Sequence, residues 1–316
     1  MQPLYNIPTE IIWPTFVPAW VIGDIVIILL SILTGIFIIK KEKRPIPLLL
    51  EIVCFTFLYA AIYENFATFV GWYGYGKSML MIFNVPLTVP LIEALFVYAG
   101  IRFGRALKIP TWTIPLLVGM FGVLADLTLD PVSLSQVSDG IGRWSWFIGA
   151  GDANWFGAPI YNYLGWFLLC GFAATMFMLG RFWYKKSGYN KIVGYVYPPL
   201  TALGALALIV SPLSAFILWL GPFFAKGGWT EYLMLGLGFL ILTILLVVWR
   251  GRMRRKLTIK DDYIILLIFG VFYLTNIIFA TIGGEWKILL WTVLPFSVIH
   301  LLILGFGFSR KGLEKR

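Results

Sequence analysis

Charge is scarce in this chain. Charged residues fill only 13% of its 316 positions, against roughly 25% in an ordinary soluble domain. So few cannot cover the surface of a water-soluble protein of this size. A soluble enzyme, a disordered chain and a disulfide-stapled secreted domain are thereby excluded. Histidine is almost missing: His300 is the single one, which excludes a multi-histidine metal site. The two cysteines, Cys54 and Cys170, sit inside apolar runs and make no zinc or disulfide pattern, so both are expected in the core. There is no nucleotide-binding loop, no redox pair and no low-complexity tract. Activity is therefore expected without metal or cofactor.

Apolar residues make up 60% of the chain and aromatics 17%, and the mean hydropathy is +0.87. The apolar runs are continuous rather than alternating, which predicts an all-α, polytopic bundle of transmembrane helices instead of a membrane β-barrel. Nine stretches approach the roughly 20 residues that a hydrocarbon core requires. They are 18–39, 47–70, 85–107, 111–130, 158–182, 192–220, 230–249, 263–281 and 289–308. Pro198, Pro199 and Pro212 are expected to interrupt the sixth. The whole chain, 1–316, reads as one integral-membrane domain of the cell membrane.

The net charge is +10, but its placement speaks for topology and not for nucleic acid. Of the 25 basic residues, 21 follow odd-numbered spans. Only Lys77, Arg143, Lys226 and Lys287 lie on the other side. By the positive-inside rule the N-terminus is expected outside and the C-terminus in the cytoplasm. The first 17 residues hold no Lys or Arg, so no basic region of a cleavable signal is expected. The longest polar connection, 131–157, carries Trp144, Trp146 and Trp155 and is expected to form an interfacial lid or re-entrant segment.

Ionisable groups inside a membrane are costly and therefore functional candidates. With a rise of about 1.5 Å per residue, Glu64, Glu93, Asp126 and Asn162 lie about 6–12 Å below the outer ends of their spans. Asp24 lies at a similar depth and is expected as a candidate or an interfacial cap. Asp130 sits at the outer mouth, one turn from Asp126 on the same helix face. Pro131 is expected to end that helix. No lysine or arginine is expected at the depth of Glu64 and Asp126. Glu51, near the basic end, is expected to snorkel or to pair with Lys43 or Arg44, and His300 to pack in the core. Carboxyls gathered in an apolar layer suit cofactor-free protonation of an isolated C=C bond, with aromatic faces shielding the cation.

Three segments then carry a resemblance. They are 64–75, ENFATFVGWYGY, followed by VPLTVP at 85–90; 126–131, DLTLDP, followed by RWSW at 143–146; and 155–166, WFGAPIYNYLGW. In this order they resemble the membrane-bound carotenoid biosynthesis family that contains bisanhydrobacterioruberin hydratase and related end-group hydratases. The resemblance covers roughly 50–180, while the spans at 192–308 diverge from it. Glu93 stands near where that family often has a tryptophan. The resemblance implies a hydro-lyase that adds water to a terminal double bond of an acyclic carotenoid, giving a tertiary alcohol. It implies an apolar isoprenoid substrate, while composition and charge placement imply lipid surroundings and no nucleic acid. The residues expected to do the chemistry are Asp126, Glu64, Asp130 and Asn162. Those expected to line the substrate are Asn65, Tyr73, Tyr75, Glu93, Trp144, Trp146 and Trp166. A carotene cyclase, an isoprenoid transferase using Asp126 and Asp130 to hold a magnesium diphosphate, a proton-coupled transporter and a carotenoid-binding scaffold remain open alternatives.

Overall fold

The computed structural model describes residues 18–138, 141–147, 153–216 and 257–308, with scattered helical positions at 236, 238–240, 243–244 and 247–248. Helices occupy eight of the nine expected stretches. The seventh, 230–249, lies largely outside the described residues. In chain order the helices are α1 (Pro18–Lys41), α2 (Pro45–Cys54), α3 (Ala61–Phe69), α4 (Thr88–Leu107), α5 (Ile114–Ser135), α6 (Ile160–Lys186) and α7 (Lys191–Ile209). They continue as α8 (Ile259–Ile282), the single turn α9 (Trp286–Ile288) and α10 (Leu294–Phe308). Seven helical stretches among the described residues are long and apolar enough to cross a membrane. α4 is set apart by Glu93, Arg102 and Arg105. It runs through the centre, where most of its side chains are buried. The outer helices show the opposite of a soluble surface: Ile22, Leu29, Ile32 and Ile39 of α1 face outward, whereas Phe37 and Ile38 point in. An apolar exterior suits lipid.

Two π-helical turns widen this frame. One, Phe55–Ala60, joins α2 to α3, so that Pro45 to Phe69 is one span with a shifted helical phase. The other, Leu289–Val293, leads into α10 and presents Thr292 to α5. Pro131 does not end α5. It lies inside the helix, which continues to Ser135. A proline cannot donate to the carbonyl four residues back, and here the freed carbonyl of Leu127 accepts the hydroxyl of Thr292 instead. Likewise Pro198 and Pro199 lie within α7, and the helix breaks only at 210–211, before Pro212.

One end of the bundle is roofed by short strands that an all-helical reading does not contain. β1 (Tyr73–Tyr75) pairs antiparallel with β6 (Trp144–Trp146), in the register Tyr73 to Trp146 and Tyr75 to Trp144. Between them in the chain lie the hairpin of β2 (Met81–Ile82) and β3 (Val85–Pro86) and that of β4 (Val137–Ser138) and β5 (Ile141–Gly142). β7 (Asn154–Trp155) and β8 (Ala158–Pro159) form a further hairpin before α6. The described strands of the 131–157 connection thus help to lace this roof. Strand side chains alternate between faces, so YGY and WSW send four aromatic rings to one face and Gly74 and Ser145 to the other.

Candidate active site

Beneath that roof lies a cavity of about 460 Å³, walled by α1, α3, α4, α5, α6 and α8. Its walls are mainly apolar and aromatic. Three carboxyl groups line it: Glu64, Glu93 and Asp130. Each is buried, and each has a different set of partners.

Glu64 comes from α3. Its Oε2 accepts the Tyr73 hydroxyl at 2.7 Å and the Tyr75 hydroxyl at 2.5 Å. The two phenols stand side by side because the strand places alternate residues on one face. Burial, followed by the adjacent Glu64 carboxylate, holds both phenols well above the ordinary tyrosine value of 10.0. They remain donors throughout the neutral range.

Asp130 comes from the last turns of α5. Trp144 donates its indole N–H to Oδ1 at 2.8 Å, and Trp146 donates to Oδ2 at 3.1 Å. Asn162 of α6 gives both amide hydrogens: one to Asp130 at 2.8 Å and one to Asp126 at 2.6 Å. The four-residue spacing of the two aspartates makes this bridge possible, since one amide can reach two stacked carboxyls. Asp126 itself does not line the cavity. It lies behind Asn162, fully buried, with Oδ1 unpartnered among the described residues.

Glu93 differs from both. No described side chain donates to its Oε2, although it faces the same cavity as Glu64. Tyr73, Tyr75, Trp144, Trp146, Asn162 and Trp166 also line the cavity. Asn65 does not. Its amide donates to the Ala61 and Ile82 carbonyls and accepts the Asn84 N–H, which pins the β2–β3 hairpin to α3.

A cation does reach this layer, against the expectation from the sequence. Arg143 lines the cavity and pairs with Asp24 of α1 at 3.1 Å. Asp24 also accepts Thr88 at 2.8 Å, the Met79 amide at 3.1 Å and Ser78. It is therefore a tie between roof and helices, and not a simple cap. Gly23 makes room for it: a Cβ there would lie 2.6 Å from a guanidinium nitrogen of Arg143. The missed signal in the sequence was an arginine beside WSW in an otherwise nearly charge-free segment. Elsewhere, Glu51 pairs with Arg181 at 2.5 Å and accepts Tyr197 at 2.7 Å, so neither Lys43 nor Arg44 is its partner. His300 contacts the Tyr273 hydroxyl at 2.5 Å between the rings of Phe121 and Phe269. Both cysteines are free and buried.

A family model described as carotenoid biosynthesis protein matches residues 20–225. The chain belongs to that family. The match takes in the cavity walls of α1, α3, α4, α5 and α6 together with the whole roof. Comparison with curated proteins and with solved structures gave no match. Among the described residues no three His, Cys, Asp or Glu side chains converge as metal ligands.

Proposed function

We propose that this protein is a carotenoid hydratase of the cell membrane, adding water across a terminal C=C bond of an acyclic carotenoid without a cofactor. The observation that carries this reading is the unequal provision of donors to three carboxyls in one cavity. Glu64 and Asp130 are held by neutral O–H and N–H donors, which favour a carboxylate. Glu93 has no such donor at Oε2 and is the group free to carry the proton.

In this mechanism the Glu93 carboxylic acid gives its proton to the less substituted carbon of the double bond. The π electrons form the new C–H bond and leave a tertiary cation. The Glu64 carboxylate and the faces of Tyr73, Trp146 and Trp166 stabilise that cation. A water then bonds to the cationic carbon and loses a proton to a carboxylate, assigned here to Asp130, and proton exchange restores the Glu93 acid for the next turnover. Asn162 has spent both N–H bonds on Asp126 and Asp130, so only its carbonyl oxygen is left to hold that water. Asp126, set behind Asn162, orients the amide and does not touch substrate. Net, one water is added and no redox change occurs. The basic end of the bundle faces the cytoplasm in this reading and the roof lies at the outer side.

The isoprenoid-transfer alternative fits less well. Asp126 is shut away from the cavity, which leaves Asp130 without its helix-face partner to hold a magnesium diphosphate. Expression in a host that accumulates lycopene or a longer acyclic carotenoid, with mass analysis of the pigments, tests the proposal. A gain of one water per reacting end is expected. An isomer of unchanged mass would replace hydration by cyclisation, and unchanged pigment would reject both.

A further inference from the structure

At the opposite end of the bundle lies a second cavity, of about 510 Å³, bordered by α1, α2, α4, α6, α7 and α8. Its charges do not balance. The carboxylates around it are already engaged: Asp261 with Lys41 at 3.3 Å, Asp262 with Arg102 at 2.9 Å, and Glu42 also with Arg102. Glu51 holds Arg181 from within the bundle. Four more cations line the cavity, Lys43, Arg44, Arg105 and Lys185. No carboxylate of a described residue lies within ion-pair distance of any of them. They come from three separate pieces of chain, the α1–α2 turn, α4 and α6. Snorkelling side chains alone would spread into the interface, but these surround one concavity.

A second observation comes from the α6–α7 turn. Tyr189 adopts φ +64, a left-handed conformation that bulky residues rarely take. Its amide donates to the Tyr184 carbonyl at 3.0 Å. Its ring stands edge-on to Tyr184 at 5.3 Å, and the Arg44 guanidinium rests 3.4 Å from the ring centre. A strained residue thus builds the aromatic shelf that fixes one cation at the cavity.

We propose that this cavity binds a phosphate-bearing anion. Guanidinium and ammonium groups recognise phosphate oxygens, and basic pockets between membrane helices seat anionic headgroups. The phosphate can belong to a lipid headgroup or to a free phosphate compound, since both present the same oxygens. The site is separate from the carboxyl cavity and stands whatever reaction that cavity performs.

The test uses the purified full chain in neutral detergent, titrated with phosphatidylglycerol, phosphatidylcholine and inorganic diphosphate, with binding read by native mass spectrometry and thermal midpoint. Phosphatidylglycerol is expected to bind and to raise the midpoint, while phosphatidylcholine does neither. The double variant Arg105→Gln, Lys185→Gln should bind at least about tenfold more weakly, from about 1 kcal/mol per basic residue. The Arg105→Lys variant should retain binding. Diphosphate binding that is lost in the double variant supports a free phosphate as the source; phosphatidylglycerol binding without diphosphate binding supports a lipid headgroup. Equal affinity for the two lipids without diphosphate binding overturns the proposal, as does a double variant that binds like the parent. Should the double variant not accumulate, a parent affinity that is unchanged as salt rises overturns it too.

Discussion

The two ends of the bundle both bury carboxylates, but they satisfy them in opposite ways. At the basic end Glu51, Asp262 and Glu42 are neutralised by Arg181 and Arg102. Under the roof, Glu64 and Asp130 are held by phenols, indoles and an amide, all of which are neutral. Neutral donors fix a carboxylate without cancelling its charge. In the proposed mechanism the roof end thus offers negative charge to a cationic intermediate, whereas at the basic end the carboxylates are paired within the protein and cations are left over. Asp24 with Arg143 is the exception under the roof, and it serves to fasten the roof to α1 and α4.

The largest effect should come from Glu93, whose Oε2 has no donor among the described residues. Glu93→Gln keeps the shape and removes the acid. Positioned proton transfer is typically worth about 10²–10⁴-fold in rate, so product per folded protein should fall that far while accumulation stays normal. Normal turnover in this variant would move the acid to another carboxyl and leave the hydratase reading standing.

The next effect sharpens the contrast at the other end. Arg181→Leu strands Glu51 without its cation, and breaking a buried pair typically costs about 3–5 kcal/mol. Thermal stability should drop and turnover of the surviving protein should not. A turnover loss without a stability loss would contradict the division between the two ends.

Smaller, and back under the roof, Tyr75→Phe removes one of two donors to Glu64. A hydrogen bond to a charged group is worth about 1.5–3 kcal/mol, which predicts a rate loss of about ten- to a hundredfold if the carboxylate stabilises the transition state. The unaltered protein should show no loss from phenol titration below pH 10. Because the folded phenols are held above the ordinary value, the stability they confer is complete below that value and disappears only as pH rises through the folded one. A loss near pH 8, absent in the Tyr75→Phe variant, would show that a phenol ionises early. The smallest effect concerns the helix through Pro131. Thr292→Val uncaps the Leu127 carbonyl and should cost about 1–3 kcal/mol of stability, measured by thermal unfolding.

How far the sequence alone leads can be read from particular residues. The helices follow directly from long apolar runs, since a bilayer leaves the backbone few other choices. Glu64, Glu93, Asp126 and Asn162 were legible as members of one layer, with Asp130 at its mouth, because helical rise converts position into depth. A lid at 131–157 was expected from its tryptophans, but the strands of the roof were not legible. Its strands are two or three residues long, and β1 meets β6 only across a long separation in the chain, so no local period announces them. Which carboxyl faces the cavity was equally hidden. Asp126 and Asp130 share a helix face, yet Asn162 screens the first and the roof tryptophans hold the second. Pro131 misled because its helix-breaking cost depends on a carbonyl that Thr292, far away in the chain, satisfies. Arg143 misled because its partner, Asp24, lies on another helix.

The central claim is tested most directly by turnover in labelled water. Purified protein is supplied with an acyclic carotenoid in water carrying heavy oxygen and deuterium, and the product is analysed by mass and by position of label. The account predicts one heavy oxygen on the tertiary carbon and one deuterium on its neighbour for each reacting end, with both greatly diminished in Glu93→Gln. A product of unchanged elemental composition, or one whose new oxygen derives from dioxygen, would contradict it.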